Sequence, residues 1–86
     1  MYYTYILECN DKTLYVGSTN DIEKRIHSHN NLKSGAHYTK IRRPVVLKYF
    51  EKFETYGESR LKEAEWKRLT KSNKLKLIDK MFTDKI

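Results

Sequence analysis

Apolar and polar residues alternate from Tyr2 to Cys9, with Tyr3, Tyr5 and Leu7 on one face and Thr4, Ile6 and Glu8 on the other. That period of two predicts a β-strand. Asn10-Asp11-Lys12 supplies turn chemistry and Leu14 to Ser18 reads as a returning strand, so the two form an antiparallel hairpin with Tyr15 beside Tyr5. The period then lengthens. Ile22 and Ile26 stand one helical turn apart, as do Arg25 and His29, and Asn20 precedes Glu23 by three residues in the manner of a capping box. A helix from about Asn20 to about Asn31 follows from that pattern. Val45 to Phe50 reads as a third, largely buried strand continuing towards Phe53, ended by Gly57. A helix is predicted from Glu58 to about Thr70, with Leu61, Trp66 and Leu69 for packing, and a last one from Asn73 to Met81 through Leu75, Leu77 and Ile78.

These elements imply an α/β fold, three antiparallel strands with helices packed on them in the order β-β-α-β-α-α. With 86 residues there is material for one core, taken as residues 1–80 with a tail at 81–86. The single Cys9 excludes an internal disulfide, and the three histidines are not in ligand spacing with it, so no zinc cage is expected. A reduced, cytoplasmic protein is the corresponding reading. No apolar stretch approaches the length of a membrane span, and no apolar segment follows a charged start as in a secretory signal.

Charge narrows the partner. A net charge of +7 favours a polyanion, nucleic acid before an anionic membrane surface, although excess lysine also serves solubility alone. Clustering favours nucleic acid: Lys40-Ile41-Arg42-Arg43, preceded by Tyr38-Thr39 and followed by Pro44, reads as a basic, aromatic-bearing loop. Tyr38, Thr39, Lys40, Arg42 and Arg43 are therefore the expected nucleic-acid contacts. The more dispersed Lys67, Lys71, Lys74, Lys76 and Lys80 also fit a solvated helix face.

The candidate chemistry lies around the hairpin. Tyr3-Thr4-Tyr5 and Tyr15-Val16-Gly17 flank the turn, and Arg25 and His29 follow on the helix. Strand, turn, strand and then a cation on a helix is a layout that can build a phosphate-cutting site. The chain resembles the GIY-YIG nuclease superfamily, in particular its small single-domain bacterial members. Tyr15-Val16-Gly17 fits the second half of the signature, while Tyr3-Thr4-Tyr5 keeps the final tyrosine of the first. The segment from His37 through Tyr38-Thr39 to Arg42-Arg43-Pro44 is similar to the tyrosine, threonine and double-arginine stretch of those members. The resemblance runs from about Tyr2 to Lys80 and implies a three-stranded antiparallel sheet flanked by helices, with an active site on one sheet face.

What the resemblance implies residue by residue is Tyr5 as general base on a water, assisted by Tyr15, with Arg25 on the scissile phosphate and Glu63 as ligand of a divalent ion, Mg2+ or Mn2+. His29 would orient the water or contact phosphate, and Gly17 would let backbone approach closely. Phosphodiester hydrolysis needs a deprotonated nucleophile, a sink for charge on the phosphorane and stabilisation of the leaving oxygen, and an arginine fork with a carboxylate-held metal supplies the last two. Read without the resemblance, Arg25 is equally a surface arginine paired with Asp21, and Glu63 a solvated glutamate. Glu65 rivals Glu63 as metal ligand; two positions apart on a helix, they point about 200° apart, so one of them faces the sheet. A metal-dependent endonuclease acting on DNA is the first functional reading. A non-catalytic nucleic-acid-binding module on the same fold is the second, and a protein partner is a possible source of specificity for either.

Overall fold

A computed structural model describes residues 1–31, 39 and 41–84, with side chains as far as residue 80. The elements are β1 (Tyr2–Glu8), β2 (Leu14–Thr19), α1 (Ile22–Asn31), β3 (Val46–Phe53), α2 (Tyr56–Lys67) and α3 (Lys71–Asp84). The strands form one antiparallel sheet in the order β2-β1-β3. Both the architecture and the β-β-α-β-α-α order are those read from the sequence.

The alternation along β1 divides the core in two. Ile6 packs with Val16, Tyr49, Trp66 and Ile78, which places α2 and α3 on that face. Tyr5 and Leu7 pack with Cys9 and Val45, and Ile26 of α1 covers them. Because β1 is central and covered on both faces, Thr4 to Leu7 are all buried. Even the polar member is satisfied: the Thr4 hydroxyl donates to the Ser59 carbonyl of α2 at 2.7 Å.

Local chemistry explains where the elements begin. In the hairpin turn Lys12 takes a left-handed φ of 70°, and Asp11 accepts from the Thr13 amide and hydroxyl at 3.1 and 2.6 Å. The cap of α1 is Asp21 rather than Asn20, since its carboxylate accepts from the Lys24 amide at 3.1 Å. Helix α2 starts before Gly57, not after it: Thr55 accepts from the Glu58 amide and donates to the Glu58 carboxylate. Thr70, read as the end of that helix, instead caps α3 by accepting from the Asn73 amide at 3.2 Å. Leu61, expected in the core, is 75% exposed, whereas Trp66 is buried against Tyr49. The last helix continues to Asp84.

A bulge in β3 corrects the reading of that strand as largely buried. Ile6 pairs with Tyr49 but Leu7 pairs with Leu47, so Lys48 has no partner on β1. The extra residue resets the alternation, turning Leu47 inward towards Leu7 and leaving Val46 exposed. The start of β3 is tied to α1 by the Asn30 side chain, which donates to the Val45 carbonyl at 3.1 Å and accepts from its amide at 2.7 Å.

Candidate active site

Pairing on β1 sets the centre of the site. Tyr5 lies opposite Gly17 on β2, and an added Cβ at Gly17 would stand 2.5 Å from the Tyr5 hydroxyl and 2.7 Å from its Cζ. The phenol ring thus crosses the glycine backbone where any larger residue would collide. Its hydroxyl makes a 2.9 Å hydrogen bond with His29 Nε2 of α1, and His29 Nδ1 is 2.7 Å from the Thr39 hydroxyl. Tyr15 presents its ring edge-on to the same imidazole, with centroids 5.2 Å apart. Arg25, one turn before His29 on α1, stands close enough to the Tyr5 oxygen for its positive charge to favour the phenolate. Its expected pairing with Asp21 is not formed; among the described residues Arg25 enters no ion pair. Beside it opens a polar cleft of about 220 Å³ lined by Thr19, Asn20, Asp21, Lys24, Arg25 and Ser28.

Tyr5, Tyr15, Arg25 and His29 therefore meet on the α1 face. Glu63 reaches the neighbourhood from the other face, because α2 packs against the opposite side of the sheet. Its Oε1 accepts from the Ser18 hydroxyl at 2.6 Å, one residue from Gly17, and its Oε2 accepts from Lys67 Nζ at 2.6 Å. Arg60 Nε lies 3.5 Å from Oε1. The candidate residues thus straddle β2, the edge strand, instead of sharing a single face. Glu65 points to solvent and pairs with Lys62 at 3.3 Å.

Electrostatics follow from burial. His29 and Tyr5 are 0% and 2% exposed. Burial, assisted by the charges of Arg25 and Arg43, pushes the imidazole down to about 4. It pushes the phenol up to about 12, even though the neighbouring Arg25 acts in the opposite direction. Both groups are therefore uncharged near neutral pH. Partial burial works against the Glu63 carboxylate, but hydrogen bonds from Lys67 and Ser18 and the charges of Lys67 and Arg60 prevail and hold it below its ordinary value. Having no exposure, His29 meets the phenol and not the phosphate.

One consequence concerns stability. Since the folded state depresses the His29 pKa from 6.5 to about 4, the unfolded chain binds a proton that the native state refuses. Stability from this group is complete above pH 6.5 and falls as pH drops towards 4, by about 2 kcal/mol, a full shift discounted for relaxation. Urea denaturation at pH 7 and pH 5 checks it, with His29→Gln as the variant in which the slope flattens. Equal stability of the parent at the two pH values would contradict the burial of a neutral imidazole.

The basic segment folds inward more than its composition suggests. Thr39 is fully buried against His29. The Arg43 guanidinium caps the end of α1, donating to the His29 carbonyl and, at 3.1 Å, to the Ser28 carbonyl. Arg42 pairs with Asp11 at 3.0 Å on the hairpin turn. Tyr38 and Lys40 lie outside the described residues. Three contacts escaped the sequence reading: Ser18 on Glu63, Thr39 on His29, and Arg43 on the helix end. Each joins residues from 10 to 45 positions apart, so no local pattern announces it.

Residues 1–76 match the family model of the GIY-YIG catalytic domain. The chain belongs to the GIY-YIG family. Every residue of the cluster from Tyr5 to Glu63 falls inside that GIY-YIG match. Among its relatives, a UPF0213 protein of Clostridium perfringens is 53% identical over 78 residues, 91% of this chain and 83% of that one. A UPF0213 protein of Syntrophus aciditrophicus is 50% identical over 76 residues, 88% of this chain and 87% of that one. The solution NMR structure of a protein from E. faecalis superposes with a TM-score of 0.63 at 36% identity, covering 95% of this GIY-YIG chain and 86% of the other. That of a UPF0213 protein from Bacillus halodurans gives 0.58 at 38% identity, with coverage of 92% and 84%. Among the described residues no helix is long and apolar enough to cross a membrane.

Proposed function

We propose that this protein is a divalent-metal-dependent endonuclease that hydrolyses DNA phosphodiester bonds, with Tyr5 taking the proton of the attacking water. The observation that carries the reading is the Tyr5 hydroxyl, hydrogen-bonded to an uncharged imidazole and lying within the field of the Arg25 guanidinium, where Gly17 leaves the backbone bare. Neutral at working pH, Tyr5 does not begin as a phenolate. Its oxygen accepts the water proton as its own proton passes to His29 Nε2, and the negative substrate raises the proton affinity of His29 in that state. The water oxygen bonds to phosphorus, the bond to the leaving oxygen breaks, and Arg25 stabilises charge on the phosphate oxygens with its planar fork. Tyr15 holds the imidazole plane.

Among the described residues no three His, Cys, Asp or Glu side chains gather as a ligand set, so Glu63 would hold the ion with water and substrate oxygens completing its shell. That donor set fits Mg2+ or Mn2+, hard ions that accept one carboxylate and retain water. Glu63 is held ionised, and the Lys67 and Arg60 side chains on it are 54% and 56% exposed, free to swing away. When bound, the ion supplies charge neutralisation at the phosphate and leaving oxygen.

Incubation with branched and single-stranded DNA in magnesium or manganese, with and without chelator, tests the activity. Cleavage is expected with metal and lost with chelator; no cleavage of any substrate would leave a nucleic-acid-binding module. For the ligand, Glu63→Gln is expected to weaken metal binding roughly tenfold or more, and Glu65→Gln to leave it nearly unchanged. The reverse order in metal titrations would move the ligand to Glu65.

A further inference from the structure

We infer that Thr39 is a positioning residue whose hydroxyl fixes His29 in the tautomer protonated on Nδ1, keeping the Nε2 lone pair aimed at the Tyr5 hydroxyl. The inference rests on the reading of Tyr5 as proton acceptor for its catalytic meaning, but the tautomer itself follows from hydrogen-bond bookkeeping. The positive charge of Arg25 stands near the Tyr5 oxygen and opposes a phenolic proton turned towards it. The phenolic proton is buried and needs an acceptor, and His29 Nε2 at 2.9 Å is the side-chain atom placed to be one. An acceptor Nε2 on a neutral ring leaves the ring proton on Nδ1, and Nδ1 is 2.7 Å from Thr39 Oγ1. In this assignment the Tyr5 proton, Nε2, Nδ1 and the Thr39 hydroxyl form one directed chain of hydrogen bonds. The opposite tautomer would direct Nε2–H at the phenol oxygen and take from the phenolic proton the acceptor that Nε2 offers.

The surroundings keep the ring uncharged and in place. Arg25 on α1 and Arg43 after Thr39 both oppose protonation, Tyr5 and Tyr15 of the two strands contact the ring, and the Arg43 fork holds the backbone carbonyls of Ser28 and His29. Thr39 and Arg43, four residues apart, grip the same helical turn, one by its side chain and one by its main chain. In the proposed reaction the proton travels from water to the Tyr5 oxygen and from the Tyr5 oxygen to Nε2. The Nδ1 proton stays on the ring, hydrogen-bonded to Thr39, and no net charge forms on the threonine.

The test reads the ring directly. In 15N-labelled protein at pH 7, long-range proton–nitrogen correlation spectra are expected to show His29 Nδ1 as the protonated nitrogen and Nε2 as the bare one. Thr39→Val should lose that preference, and Thr39→Ser should retain it. In the cleavage assay Thr39→Val is expected to lower kcat on the order of tenfold or more with KM little changed, and Thr39→Ser to restore most of it. A parent ring protonated on Nε2 overturns the inference, and that measurement needs no variant to fold. So does a folded Thr39→Val with the parental tautomer, or one whose tautomer changes while kcat does not. If the parent cuts no DNA, the proposed function fails while the tautomer result stands by itself.

Discussion

Arg25→Ala is expected to reduce cleavage a hundredfold or more while leaving the protein folded. The magnitude is that of removing one preorganised charge donor aimed at a developing oxyanion. Stability should change little, because Arg25 is half-buried on α1 and enters no ion pair among the described residues. Its loss has a second readout in the free protein. The Arg25 charge is one of the causes that depress the His29 pKa, so the variant should show that pKa moved back towards 6.5, as NMR titration would detect. Parental cleavage rates in a variant whose His29 pKa has moved would place Arg25 beside the site but outside the reaction.

Gly17→Ala is expected to damage both fold and activity. The added methyl would sit 2.5 and 2.7 Å from the Tyr5 hydroxyl and Cζ, and 3.2 Å from a ring carbon of Tyr15. Neither ring is a loose surface end. Tyr5 is buried and hydrogen-bonded to His29, so relief requires opening the β1–β2 pair or displacing the phenol. Overpacking of this kind costs about 1–3 kcal/mol, and displacement of the phenol breaks the bond to His29 that the reaction needs. Gly57→Ala is the control. A Cβ there meets nothing within 4 Å, and in the first turn of a helix alanine is favoured over glycine. Urea melts and cleavage rates of both variants check the contrast, and a Gly17→Ala protein as stable and active as the parent would mean that Tyr5 has room to move.

Much of this was legible because the informative contacts are local. The alternation of β1, the turn and the return strand announce the hairpin that puts Tyr15 on the strand adjacent to Tyr5, and one turn of helix links Arg25 to His29. Element ends were harder, since adjacent residues compete for the same role: Asn20 and Asp21 can both cap α1, and Gly57 reads as a breaker although Thr55 and Glu58 already start the helix around it. Core membership failed where tertiary packing decides, as for Leu61, which sits on a helical pattern but stays exposed. The inward turn of Thr39 and Arg43 was invisible for a related reason. A threonine and an arginine look alike in sequence whether they face a polyanion or the end of a helix. The placement of Glu63 across the sheet from Tyr5 depends on which face α2 covers, and that is set by Trp66 and Ile6 together.

The bulge at Lys48 has a consequence for how the sequence stores its information. Lys48 contributes little by its own chemistry, reaching Glu8 only at 4.0 Å with its side chain 37% exposed. What it contributes is a count. Leu47 and Tyr49 stand two positions apart, which strict alternation would put on one face, yet they pair with the neighbouring Leu7 and Ile6 and serve opposite halves of the core. The unpaired residue shifts the phase of the strand by one, so the positions before Lys48 and those after it follow different alternations, and a strand read with a single period of two would assign one side of it to the wrong face.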